Sequence, residues 1–338
     1  MIKNILKNLY LKTNKLDYNE SHLGTFSFWR LLLYNIFSPG RTINRLKFNQ
    51  LNKNSKKITR SFDQMNYEDN PNCSKKELNQ ALNNLVNLGG CVIPNYFSKD
   101  IIDEFLRENE ILIKEMREYK SDQISYKIEL VKISQKLVEL WLDKNLINLI
   151  RSFLTTDIFA RNYPYLYYTY VPETLNKDKI LNSKAASSWH IDHSVLFNLH
   201  ILLDDIKEDE TCMEILPKSH KSLNIASKYS NNVVDKFSSE RIKCFGPRGT
   251  VYMHTGNVVH RLHPVAGKNR LNLHFEFSPG SNILLDVECI RKTLNNEFNL
   301  SDLGNDQREI LKVIFPKKQQ KGYDIKNDKI SPTKFLGI

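Results

Sequence analysis

The stretch "GPRGTVYMHTGNVVHRLHPVAGKNRLNLHFEFSPG" (residues 246–280) reads as successive short strands separated by turns at "TGN" and "VAGKN". Its last run, "RLNLHFEF" (270–277), alternates strictly. Arg270, Asn272, His274 and Glu276 fall on one face, and Leu271, Leu273, Phe275 and Phe277 on the other. In a half-buried strand the apolar face packs against the rest of the fold. In a ligand-holding barrel the polar face looks into the cavity.

Strand signals continue upstream. "LFNLHILLDD" (196–205) is a strand closed by acidic turn residues, and "YLYYTYVPE" (165–173) is aromatic and strand-like. Before that the period changes. Leu78, Leu82 and Leu85 share one face of a helix over 76–88, which Gly89 and Gly90 end. "CVIP" (91–94) reads as a short buried strand. Ser98 is placed to cap a helix whose apolar face holds Ile101, Ile102 and Phe105. Leu130, Leu137, Leu140, Leu146 and Ile150 predict more helix across 128–154. Helices first and short strands second is an α+β pattern, and the strand-rich part suggests a jelly roll or barrel.

The chain has 338 residues and a net charge of +11, and the charge is localised. Residues 1–60 hold twelve Lys or Arg against Asp17 and Glu20, so this arm carries +10 and the other 278 residues are near neutral. Such an arm suits an acidic surface on a membrane, nucleic acid or protein, or is a solvated extension. The expected organisation is a basic extension over 1–70, one domain over 71–290 and a C-terminal extension over 291–338. Five scattered cysteines (Cys73, Cys91, Cys212, Cys244, Cys289) form no C-x-x-C pair, which argues against a disulfide framework or a zinc ribbon. The apolar stretch "FSFWRLLLYNIF" (26–37) is too short for a membrane span and carries Arg30, and "MIKNILKNLY" lacks the apolar core of a signal peptide. A cytoplasmic protein with no integral membrane segment is the expectation.

Eight of the nine histidines lie between His190 and His274. "SSWHIDHS" (187–194) puts His190 and Asp192 two apart, the strand repeat at which side chains point the same way. H-x-D alone is a weak motif, and its context strengthens it. His260 follows Asp192 by 68 residues, within "VVHRLHP". Two histidines and a carboxylate form a facial triad with open coordination positions, suited to Fe(II) in oxygen chemistry. Structural zinc prefers four protein ligands, and H-E-x-x-H is absent. His254 and His263 compete with His260 as the distal ligand; spacing and strand parity favour His260. His193 points away from Asp192. His200 and His274 are candidates to line the cavity, while His220 and Trp189 read as structural. Arg270, if buried, needs an anionic partner, which a dicarboxylate cosubstrate would supply through paired hydrogen bonds.

Four stretches together resemble the phytanoyl-CoA dioxygenase family of Fe(II)/2-oxoglutarate oxygenases. "LVNLGGCVIPNYFSKDIIDEF" (85–105) is similar to the family's opening helix, strand and second helix. "SSWHIDHS" resembles its W-H-x-D strand, and "LHILLDDIKEDETCMEILPKSHK" (199–221) its acidic turn and P-G-S-H segment. "GTVYMHTGNVVHRLHPVAGKNRLNLHFEF" (249–277) resembles its distal His followed by Arg. Lys218 stands where the P-G-S-H motif has glycine, and the usual glycine of the acidic turn is absent.

The resemblance implies a double-stranded β-helix (jelly roll) with flanking N-terminal helices. It implies Fe(II) on His190, Asp192 and His260, and 2-oxoglutarate with its distal carboxylate on Arg270. Asn272 takes the position of a second cosubstrate contact. Succinate forms as O2 is used to hydroxylate a C–H bond of a small or lipid-like substrate. Asp192 occupies the position that a halogenase leaves open for halide. Two other readings remain: an inactive relative serving as a binding or scaffold module, and an oxygenase acting on a macromolecule recruited by residues 1–60.

Overall fold

Ser74 begins the first helix. Its side chain accepts from the Glu77 N–H while its own N–H donates to Glu77 Oε2 (2.6 Å), a reciprocal cap ahead of α1 (Lys75–Leu88). Leu78, Ala81, Leu82, Leu85 and Val86 bury one face. Gly89 ends α1 with φ 89°, and a Cβ there would lie 2.5 Å from the His220 ring, so both backbone and space demand glycine. The chain then enters β1 (Gly90–Ile93), and Ser98 caps α2 (Lys99–Glu108) as its sequence position predicted. The computed structural model describes residues 67–118, 125–130, 133–154, 158–160, 163–174, 187–192, 196–221, 228–279 and 303–311. The expectations for residues 1–66, with the basic arm and "FSFWRLLLYNIF", lie outside these, as do those for His193 and Cys289.

After α3 (Glu110–Glu118) the helical reading of 128–154 needs correcting. Ser125–Glu129 is strand β2, and helix occupies only α4 (Gln135–Trp141) and α5 (Lys144–Leu154). Leu130, just past β2, fits the helical spacing of Leu137 by coincidence. Pairing with an adjacent strand, which a local pattern does not register, decides the matter: Ile128 sits opposite Leu166.

The remaining elements are β3 (Ile158–Ala160), β4 (Tyr165–Thr169), β5 (Trp189–His190), β6 (Phe197–Leu202), β7 (Cys212–Ile215), a 3-10 turn (Ser219–Lys221), β8 (Lys228–Tyr229), α6 (Asn231–Phe237), β9 (Ile242–Cys244), β10 (Val251–Thr255), β11 (His260–His263), β12 (Arg270–Pro279) and α7 (Asn305–Leu311). They form two antiparallel sheets. The larger runs β1-β10-β6-β12-β4-β2, with β3 also pairing β12; the smaller runs β8-β5-β11-β7-β9. This is an α+β fold with a double-stranded β-helix at its centre.

The larger sheet has two buried faces. Leu199, Ile201, Leu271, Leu273, Phe275 and Phe277 join the helices in the main core, together with Leu303, Ile310 and Leu311 from around α7. The opposite face of the same strands presents Asn198, His200, Arg270, Asn272 and His274 to the space between the sheets. The alternation read from "RLNLHFEF" therefore separates core from cavity. Leu202, Cys212, Ile215, Cys244, Tyr252 and Val258 belong to a second apolar cluster, against which the cavity residue Met213 packs. Among the described residues, four cysteines are buried free thiols, and no helix is long and apolar enough to cross a membrane.

Candidate metal centre

The "LPKSHK" turn buttresses the strand that carries His260. Lys218 adopts φ 67° at the position where the resemblance has glycine, so the turn keeps its left-handed backbone despite the side chain. That geometry lets the Lys218 N–H donate to Leu88 O (2.8 Å). Next to it, Ser219 Oγ accepts from the Val259 N–H (2.8 Å), and the Leu216 N–H donates to Val259 O (2.8 Å). His220 is buried with Nε2 against Val86 O (3.1 Å), the structural role its sequence position suggested.

His260 and His190 are direct partners across β11 and β5, with ring centroids 4.3 Å apart. Each ring is oriented by a main-chain carbonyl: His190 Nδ1 lies 2.7 Å from Ser188 O and His260 Nδ1 lies 3.0 Å from Val258 O. With Nδ1–H donating there, the Nε2 lone pair of each ring is left for a metal. Asp192, just past β5, is anchored by its N–H to Gly256 O (2.8 Å), and its Oδ1 stands 3.9 Å from His260 Nε2. Among the described residues, His190, Asp192 and His260 form the one group whose ligand atoms all lie within 4.8 Å of one another.

These side chains line a cavity of about 510 Å³ between the sheets, with Arg270, Asn272, His200, His254 and His274 on its walls. His254 approaches His260 (ring centroids 4.3 Å) without joining the group of three. His263 faces outward, 3.7 Å from Glu214. Burial holds His260 down to about 4 and His274 to about 3, and puts His200 and His254 well below their ordinary value. The rings are therefore neutral at physiological pH, the protonation state a metal ligand requires.

Arg270 is 1% exposed. Its Nη1 donates to the Tyr252 hydroxyl at 3.4 Å, its Nε has no partner, and no carboxylate among the described residues pairs with it. Asn272 lies beside it and donates through Nδ2 to His200 Nδ1 (3.1 Å). Two residues that hold the groups of this site escaped the sequence reading. Asn198 bridges Asp192 and His274, and Tyr252 meets Arg270. Alternation along their own strands was the available signal, but their partners lie across strands whose register the sequence does not state.

The profile of the family described as Phytanoyl-CoA dioxygenase (PhyH) matches residues 87–270, more than half of the chain, and this span includes His190, Asp192, His260 and Arg270. The chain belongs to the phytanoyl-CoA dioxygenase family. No curated protein matches it. Among solved structures, it is similar to the epimerase SnoN in complex with Fe3+, alpha ketoglutarate and nogalamycin RO. That match has 13% identity and TM-score 0.46, covering 61% of this chain and 85% of that one. It is also similar to EctD from S. alaskensis with 2-oxoglutarate and 5-hydroxyectoine (15%, TM-score 0.46, 65% and 80%). HygX from Streptomyces hygroscopicus, with nickel and 2-oxoglutarate bound, is a third (15%, TM-score 0.45, 60% and 87%).

As a member of the phytanoyl-CoA dioxygenase family, this chain is an Fe/2-oxoglutarate-dependent enzyme, and its cofactors are Fe(II) and 2-oxoglutarate. The residues present fit both. A His–Asp–His set whose rings both turn Nδ1 to a main-chain carbonyl suits a divalent iron, and a buried guanidinium that pairs with no carboxylate among the described residues suits a dicarboxylate.

Proposed function

We propose that this enzyme hydroxylates a C–H bond of a small polar molecule, using Fe(II), 2-oxoglutarate and O2. In this reading His190, Asp192 and His260 hold the iron, and Arg270 holds the distal carboxylate of 2-oxoglutarate. Arg270 carries the reading. A guanidinium 1% exposed, with one long hydrogen bond to a neutral phenol, is an uncompensated buried charge. Such a charge costs several kcal/mol unless an anion joins it. A carboxylate entering beside Arg270 offsets that cost and gains paired, charge-assisted hydrogen bonds.

Iron with 2-oxoglutarate supplies oxygen activation and C–H oxidation when bound. The chain supplies orientation. Ser188 O and Val258 O fix the two imidazoles, and Asn198 Nδ2 holds Asp192 Oδ2 at 2.7 Å, so that the carboxylate offers Oδ1. Asp192 itself supports hydroxylation over halogenation, because it fills the position that a halide would need.

Hydrogen-bonding side chains around the cavity support a substrate with polar groups. Of the fourteen described residues that line it, only Met213 and Leu262 bring wholly apolar side chains. The test is a screen of small polar acceptors, loaded with Fe(II) anaerobically and then exposed to air. Succinate should form together with an acceptor heavier by one oxygen. Undiminished iron binding by His190→Ala or Asp192→Ala would overturn the ligand assignment, and succinate release with no oxygenated product from any acceptor would overturn hydroxylation.

A further inference from the structure

The two ends of the described fold are fastened to one helix. Tyr67 and Leu311 are the first and last described residues. Beside the first, Asn145 on α5 clasps the main chain of Glu68. Its Oδ1 accepts from the Glu68 N–H (2.8 Å) and its Nδ2 donates to Glu68 O (2.9 Å). Lys144 pairs with the Glu68 carboxylate. Beside the last, Arg151 on α5 donates through both terminal nitrogens to the Asp306 carboxylate on α7 (2.8 and 2.6 Å). Leu303, Ile310 and Leu311 are buried in the main core. Asn145 and Arg151 lie on the same helix, about 9 Å apart along its axis. That is close to one Debye length at physiological salt.

Strong positive charge lies beyond each end. Residues 312–338 hold seven Lys against Asp324 and Asp328, which gives +5. Residues 1–60 carry +10, so residues 61–311 between them stand at −4. Two cationic segments fastened this close together repel one another. A single extended anionic surface turns that repulsion into joint attraction, whereas a small anion neutralises only part of one segment.

Both segments also carry apolar side chains among their charges. "FSFWRLLLYNIF" (26–37) has Arg30 as its one charge, Val313, Ile314 and Phe315 lie between Lys312 and Lys317, and Phe335 and Leu336 follow Lys334. Nucleic acid offers phosphates to the cations and bases to the aromatic rings, but nothing to Leu31, Leu32 and Leu33. A lipid surface takes all three kinds: cations at the phosphates, Trp and Tyr at the headgroups, aliphatic side chains beneath them.

The place of α5 adds a direction. Its Phe153 packs on Phe197 of β6 (ring centroids 5.6 Å), on the face of the larger sheet opposite the cavity.

We propose that residues 1–60 and 312–338 bind one anionic lipid surface together, with α5 as their common anchor, so that the helix side of the domain faces the lipid and the cavity lies across the sheet from it. The surface then places the enzyme without feeding the cavity, and 2-oxoglutarate binding is independent of lipid.

The experiment is co-sedimentation of the full Fe(II)-loaded chain with phosphatidylcholine vesicles, with and without phosphatidylserine. Binding should require phosphatidylserine, and high salt should release the unaltered protein, which tests the charges without any substitution. Each cation near such a surface tightens binding about fivefold. The triple variant Arg41→Gln, Arg45→Gln, Lys47→Gln should therefore bind about 100-fold more weakly, and Lys317→Gln with Lys318→Gln about 25-fold. Brominated lipid should quench fluorescence that is absent from Trp29→Phe. Anaerobic calorimetry should give the same 2-oxoglutarate affinity with and without vesicles.

Equal binding to vesicles lacking phosphatidylserine would overturn the proposal, as would tighter binding to a DNA or RNA duplex than to the anionic vesicles. Unchanged binding in the Lys317/Lys318 variant would remove the joint surface, and a 2-oxoglutarate affinity that moves with vesicles would overturn the direction given to the cavity. None of these outcomes touches the iron or cosubstrate reading, which the ligand variants test separately.

Discussion

Asn198 stands between a proposed ligand and a cavity histidine. Its Nδ2 donates to Asp192 Oδ2 (2.7 Å), and its Oδ1 accepts from His274 Nε2 (3.1 Å). Asp192 follows a two-residue strand, and its backbone tie to Gly256 O fixes the main chain but not the carboxylate. Asn198→Ala should therefore lower Fe(II) affinity about 10- to 100-fold, the usual effect of losing a group that orients a metal ligand. Anaerobic calorimetry measures this, and unchanged affinity would mean that backbone placement alone suffices. The ligand candidates and Arg270 were legible because period-two alternation and chain order are written in the sequence. The bridge made by Asn198 was not. It depends on which residue of β6 faces Asp192, and that follows from the pairing of Asn198 with His254 and Glu276 in two other strands.

At the scale of elements, β12 was read from alternation and β4, β6, β10 and β11 as strand segments, and β2 was not. The helix expected from residue 128 overlapped the end of β2, whose strand identity comes from β4 alongside it. Close approach between elements is similarly hidden. Gly249, with φ 87°, precedes β10 and links two parts of the fold. Its N–H donates to Leu202 O (2.8 Å), and its carbonyl accepts from the Phe97 N–H (3.0 Å). A Cβ at this position would lie 2.1 Å from Phe97 O, a backbone atom that cannot swing aside. Gly249→Ala should destabilise the protein by about 2–5 kcal/mol, combining left-handed strain with overpacking. Denaturant unfolding monitored by circular dichroism measures the loss. A change below about 1 kcal/mol would show that the Phe97 segment relaxes freely.

For the molecule as a whole, pH should act through the cavity. His200, His254, His260 and His274 share one space between the sheets, and all four are held below their ordinary value, His260 at about 4 and His274 at about 3. Desolvation is the first cause in each. The sign follows from linkage. Below about pH 6.5 the unfolded chain binds protons that the folded rings refuse, so stability is complete above 6.5 and is lost as pH falls toward 4. His260 alone contributes about 2 kcal/mol of that loss at pH 5. Asp143 and Asp204 are raised by their own burial and act with the opposite sign, favouring the folded state as pH falls. That effect runs from their raised values down to the ordinary value of 3.8, where it is complete, so it offsets part of the loss from the histidines. Metal-free protein should therefore melt several degrees lower at pH 5 than at pH 7.5. Added Fe(II) should raise the melting temperature at pH 7.5 and do so much less at pH 5, because protons compete for the same imidazole lone pairs. Scanning calorimetry with and without metal measures both quantities. A melting temperature that stays flat from pH 7.5 to 5 would require the four rings to accept protons inside the folded cavity, against the desolvation that keeps them neutral there.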